Sequence, residues 1–316
     1  MSSHPMPTYP MSAGVWGLIV LLSLIWGGSF FLTEIALTGM GPLTLVTGRV
    51  GIAALVLWAV IAIRGEAVPR FGWIWLALLA MGAMNNVIPF SLISWGQTRI
   101  DSGVASILNA TTPLFAVLVA HVLTSDEKLT LPRFTGVLCG VIGVAVLIGP
   151  SAIAGLTQTG DGALLGQCAG LAASLSYAFA GIFGRRLRGL SPMVAATGML
   201  TGSTIMMLPI SMIVEQPQAA PLPDTGPVVA VAGMALLCTA FAYLLYFRIL
   251  ARAGATNLLL VTLLVPVSAI ILGAVFLHEV ITANALAGIG LIGLGLLAVD
   301  GRVFRVFYKP STSSGA

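Results

Sequence analysis

The chain has 316 residues, of which 58% are hydrophobic and only 8% charged, with a net charge of +4 at neutral pH. Soluble domains carry roughly 25% charged residues, so this composition excludes a water-soluble globular protein and indicates an all-α chain that crosses a bilayer repeatedly. The 14 Lys and Arg are dispersed through short connections and form no basic cluster, which excludes a nucleic-acid-binding surface.

A hydrocarbon core of ~30 Å requires about 20 mostly apolar residues per helix. Apolar runs bounded by Pro, Gly or charge predict ten spans, at 14–38, 43–63, 72–95, 102–123, 132–149, 162–184, 192–214, 227–249, 255–277 and 282–300. The opening "MSSHPMPTYPMSAG" lacks the basic start of a cleavable signal, so the first span is expected to be retained. The closing "STSSGA" is expected to lie outside the fold. Cys139, Cys168 and Cys238 are far apart and have no ligand spacing, so they are read as packing residues with no disulfide and no metal.

In the first span, Gly27, Gly28 and Ser29 make room at mid-depth, either for a ligand or for a neighbouring helix, beside the flat ring of Trp26. The same span carries Glu34, and the second carries Arg49 at a similar distance from the turn "GMGP". Charges inside a membrane point to function, so this pair is read either as proton coupling or substrate anchoring, or as a structural ion pair. The third span holds adjacent amides, Asn85 and Asn86. Pro89 lacks an N–H and frees the Asn85 carbonyl, and Phe90 and Trp95 follow. In the fourth span Pro113 frees the carbonyl of Asn109, and in the ninth Pro266 does the same for Thr262. Paired breaks of this kind point to a transport site near the midplane. Tyr177 in the sixth span, and Tyr243 and Tyr246 three apart in the eighth, supply further aromatic surface. His121, Glu127 and Glu279 lie near helix ends and are read as caps.

An offset of 151 aligns Trp26 with Tyr177, Phe90 with Phe241 and Gly103 with Gly254. One inserted residue later, Glu127 aligns with Glu279, and Gly136 and Gly143 align with Gly288 and Gly295. This is read as a duplication: one five-helix repeat at 14–149 and a second at 162–300, with tails at 1–13 and 301–316. Five spans per copy put the second copy upside down relative to the first. All Lys and Arg except Arg49 and Arg99 then fall on the side of the N-terminus, which places both termini in the cytoplasm.

Taken together, "IWGGSFF", "TGRVGIAALVL", "ASILNATTPLFAVLVAHVLTSDEKLTLPRFTGVLCGVIGVAVL" and its echo "LVPVSAIILGAVFLHEVITANALAGIGLIGLGLLAV" resemble the drug/metabolite transporter superfamily, EamA type. Within it the chain is most similar to bacterial inner-membrane exporters of aromatic amino acids. That resemblance implies multi-pass residence in the inner membrane and outward transport of Phe, Tyr, Trp or related metabolites by alternating access. It implies no cofactor, leaves the oligomeric state open with a monomer allowed, and keeps export of other metabolites or cationic drugs as the alternative. The second copy has "SYAFAGIFGRR" in place of the Trp-Gly-Gly motif, so the halves need not contribute equally. A phosphate-binding loop, an H-E-x-x-H pair and a G-x-S-x-G elbow are all missing from the sequence, which argues against a nucleotide-driven pump or an intramembrane hydrolase.

Overall fold

The computed structural model describes residues 12–125, 128–149, 162–276 and 282–300, together with 154, 156 and 157, and among these there is no β-strand. Glu127 and Glu279 lie outside the described residues. Helix α1 (Ala13–Leu37) starts at Ser12, whose hydroxyl accepts the N–H of Val15 at 3.3 Å. Helix α2 (Pro42–Arg64) opens on a proline, where no intrahelical N–H is needed, and closes on Gly65 at φ 64°. The third run is α3 (Trp73–Gly82), a π-helical segment at Ala83–Val87, and α4 (Ile88–Gly96). The fourth is split into α5 (Ser102–Asn109) and α6 (Thr112–Leu123), followed by α7 (Leu131–Ile148).

The second half begins with α8 (Ala163–Phe183) and α9 (Pro192–Val214), the latter capped by the Ser191 hydroxyl. Helix α10 (Thr225–Gly233) passes through a π-helical segment at Met234–Phe241 into α11 (Ala242–Leu259). Gly254, at φ 79°, kinks α11, and α12 (Val261–Phe276) and α13 (Ala283–Asp300) complete the described chain. Seven helical runs among the described residues are long and apolar enough to cross a membrane; Leu131–Leu147, Asn257–Ser268 and Ala283–Val299 are shorter apolar helices.

Two helix pairs tie the halves together. Helices α7 and α13 make the most extensive helix contact and run antiparallel. A Cβ on Gly136 would lie 2.7 Å from the Gly295 carbonyl, and one on Gly288 would lie 2.3 Å from the Leu147 side chain. These are the glycines matched by the internal repeat, and their lack of a side chain is what lets the two backbones touch. Helices α2 and α9 are also antiparallel. Trp58 Nε1 donates to Thr201 Oγ1 at 2.8 Å, and Thr47 Oγ1 donates to the Met207 carbonyl at 3.2 Å. At one end of this pair the Glu215 carboxylate accepts the backbone N–H groups of Leu43 and Thr44 at 2.9 and 2.8 Å, capping α2 from the other half. At the other end Ser191 Oγ donates to Glu66 Oε2 at 2.9 Å.

Candidate functional site

The sites of irregular backbone recur at the repeat spacing. The two π-helical segments start at Ala83 and Met234, 151 residues apart. A π turn leaves carbonyls without their usual donors, and the other half of the chain supplies replacements. Ser176 Oγ donates to the Met84 carbonyl at 2.7 Å, and the Tyr243 hydroxyl, which donates to Asn86 Oδ1, also lies 3.4 Å from the Asn85 carbonyl that Pro89 frees. Across the interface, Trp26 Nε1 donates to the Cys238 carbonyl at 3.0 Å. The break between α5 and α6 is healed by Thr112 Oγ1 on the Asn109 carbonyl at 2.6 Å; that before α12 is healed by Thr262 Oγ1 on the Leu259 carbonyl at 2.9 Å. The second break falls at Leu260, upstream of the Thr262 carbonyl expected from Pro266, and Pro266 itself sits inside α12.

Between these irregular segments lies a cavity lined from both halves, with about 690 Å³ of free space when the open solvent at its mouth is included. Trp26, Asn85, Phe90, Asn109, Tyr177, Tyr243 and Tyr246 all line it, as does Arg49. Its aromatic wall is continuous: the Tyr243 and Tyr246 rings meet edge to face at 5.7 Å, and Trp26 lies 6.3 Å from Tyr246. Nine lining residues were not singled out from the sequence as binding residues: Ser29, Phe30, Thr33, Ile93, Ser94, Gln97, Leu259, Thr262 and Val265. Three buried polar atoms without a hydrogen-bond partner, Gln97 Oε1, Asn109 Oδ1 and the Tyr246 hydroxyl, belong to lining residues. Buried polar groups are nearly always paired, so three unpartnered atoms on residues that line one hollow suggest a ligand.

Four expected site residues fall elsewhere. Gly28 is not part of the lining, and a Cβ there would meet nothing within 4 Å, so no helix contact depends on its smallness. Trp95 carries the Arg99 guanidinium 4.0 Å above its ring, away from the cavity lining. Asn86 lies behind the wall, fully buried: its amide donates to Ser203 Oγ at 2.8 Å and its Oδ1 accepts the Tyr243 hydroxyl. Glu34 does not meet Arg49. It is exposed in the last turn of α1, whose 25 residues span ~37 Å and therefore outreach the hydrocarbon core. Arg49 is 6% exposed and faces the other half, where Nε donates to Thr239 Oγ1 at 2.7 Å and Nη2 to the Cys238 carbonyl at 3.4 Å. Glu34→Gln is therefore expected to leave transport rate and its pH profile unchanged in proteoliposomes; a flattened profile would restore a coupling role. His121 Nδ1 accepts the Leu129 N–H at 3.2 Å, a loop cap.

The chain matches the EamA-like transporter family twice, over residues 14–149 and 164–299. It belongs to the EamA-like transporter family. It is thus a multi-pass membrane transporter, and several relatives are named accordingly. The Uncharacterized transporter YoaV of Bacillus subtilis is 25% identical over 84% of this chain and 89% of its own length. The Uncharacterized inner membrane transporter YedA of Escherichia coli K12 is 27% identical over 82% of this chain and 81% of its own. The Probable terminal-alkyne amino-acid exporter of Streptantibioticus cattleyicolor is 29% identical over 43% of this chain and 45% of its own. A solved crystal structure has the same fold, with a TM-score of 0.74 at 18% identity over 94% of this chain and 99% of that one.

Proposed function

We propose that this transporter spans the inner membrane ten times as two inverted five-helix repeats, at 14–149 and 162–300, with both termini cytoplasmic, and exports amino acids, aromatic ones above all. Alternating access arises when one half rocks against the other around the central cavity. The observation that carries this reading is the cavity itself: both halves line it, an aromatic wall faces it, and three unpartnered buried polar groups belong to it. The antiparallel α7–α13 and α2–α9 pairs and the matching π-helical segments support the inverted arrangement. The inner membrane is supported by the name of YedA, and amino acids by that of the alkyne amino-acid exporter. The aromatic preference rests on Trp26, Phe90, Tyr177, Tyr243 and Tyr246, flat surfaces on which a substrate ring can stack. Proteoliposomes loaded with radiolabelled Phe, Tyr, Trp, Leu and Lys test it. The expected result is faster efflux of the aromatic compounds than from protein-free liposomes, with Leu slower and Lys at background. Efflux of no labelled amino acid above that background would reject amino-acid export.

A further inference from the structure

We propose that Arg49 selects the substrate by its carboxylate: the cavity takes small molecules that present an acid group to this guanidinium and an N–H donor to amide acceptors of other lining residues, and it turns away cations. The proposal rests on the transport site described above and names the chemistry that site accepts.

Arg49 lies two turns into α2, at a depth where a charge is costly. A buried cation is ordinarily matched by a carboxylate. Here it is not: among the described residues no Asp or Glu lines the cavity, and the atoms that hold the guanidinium are neutral, a threonine hydroxyl and a carbonyl of the π-helical segment. Phe90 covers one face of the guanidinium, its ring centroid 3.8 Å from Cζ. Those contacts fix the plane of the group without cancelling its charge.

They also leave a particular edge open. Nε and Nη2 form the side edge of the guanidinium, and that edge is engaged by Thr239 and Cys238. Nη1 and the second N–H of Nη2 form the end edge, and among the described residues Nη1 has no hydrogen-bond partner. Two parallel N–H groups on one edge match the two oxygens of a carboxylate. The acid group of a bound molecule would thus supply the missing counter-charge in a setting of low dielectric, where such a pair is strong.

The other unpartnered groups, on residues that line the same cavity, suit the amino end of such a molecule. Gln97 is anchored through Nε2 to the Phe30 carbonyl at 3.4 Å, which leaves Oε1 as an acceptor, and Asn109 Oδ1 is a second one. Both receive an ammonium or amide N–H. A cationic drug or polyamine would place its charge beside Arg49 with no carboxylate to offset it. A phosphate dianion would retain a net negative charge after pairing with the single cation. A monocarboxylate leaves neither deficit, and a zwitterion leaves only its ammonium, which neutral amide oxygens can receive as a donor.

The test compares acids with the amines obtained by removing the carboxylate: phenylalanine with phenethylamine, tryptophan with tryptamine, and leucine with isoamylamine. Binding to the purified full-length protein in detergent is measured by calorimetry and by thermal stabilisation. The wild type is expected to bind at least one acid tenfold or more tightly than its amine, Arg49→Gln to abolish that preference, and Arg49→Lys, which keeps the charge but loses the fork, to retain part of it. The proposal is overturned if no acid in the panel outbinds its amine on the wild type, a comparison that needs no variant to fold. It is overturned equally if folded Arg49→Gln keeps the wild-type ratio. Protein that binds acids selectively yet moves nothing across liposomes would remove the transport reading and leave the assignment of Arg49; protein that moves amines as fast as acids would do the reverse.

Discussion

Gly295→Leu is expected to prevent recovery of folded, monodisperse protein, whereas Gly293→Ala on the same helix is expected to be silent. A Cβ on Gly295 would lie 2.4 Å from the Gly136 carbonyl oxygen and 2.8 Å from the Gly140 nitrogen, both backbone atoms that cannot swing aside. Helices in lipid have no hydrophobic drive to associate, so close packing must carry the contact, and separating the backbones forfeits it along the whole α7–α13 pair. Even Gly295→Ala is expected to cost about 2–3 kcal/mol, the upper part of the usual range for overpacking. At Gly293 a Cβ would meet nothing within 4 Å, and alanine improves helix propensity there. Size-exclusion profiles and thermal unfolding in detergent separate the outcomes. Because α7 and α13 contribute no residue to the cavity lining, any folded Gly295→Ala protein should keep wild-type substrate affinity.

The second large effect separates the two adjacent asparagines. Asn86→Leu is expected to destabilise the protein by about 2 kcal/mol, since it removes the acceptor of the Tyr243 hydroxyl and a bond to Ser203 at a fully buried position. Asn85→Leu breaks a weak contact from its amide to Met199 Sδ at 3.7 Å, while its carbonyl contact to Tyr243 belongs to the backbone and persists. It is expected to cost less stability than Asn86→Leu and to cut transport roughly tenfold, the equivalent of ~1.4 kcal/mol at a lining position. Equal loss of stability in both variants would show that Asn85, too, is structural joinery.

The seven long apolar runs, the helix breakers and the aromatic content of the candidate site were legible because each depends on a local property: apolar length, a missing N–H, ring size. The face each helix turns inward was only half legible. Trp26, Ser29, Phe30 and Thr33 follow the i, i+3, i+4, i+7 rule of one helical face, and so do Phe90, Ile93, Ser94 and Gln97. Extending that rule from the recognised anchors Trp26 and Phe90 finds six of the missed residues. What could not be read was the π-helical segment. In a regular helix Asn85 and Phe90, five apart, diverge by about 140°; the wider π turn brings both to the cavity. Nothing in "AMNNV" announces the extra residue per turn beyond Pro89 just after it. The supposed pairing of Glu34 with Arg49 failed for a related reason. Distance from a shared turn fixes depth, but azimuth around each helix decides partners, and here one side chain faces outward while the other crosses to Thr239.

Alternating exposure of the central cavity is tested most directly with a single cysteine at Ser94, a buried lining position, in protein whose Cys139, Cys168 and Cys238 have been replaced. Sealed vesicles of each orientation are treated with a membrane-impermeant thiol reagent, with and without the best-bound amino acid. The account predicts modification from both membrane faces, slowed from each by the amino acid. Modification from one face alone, whatever is bound, would contradict it.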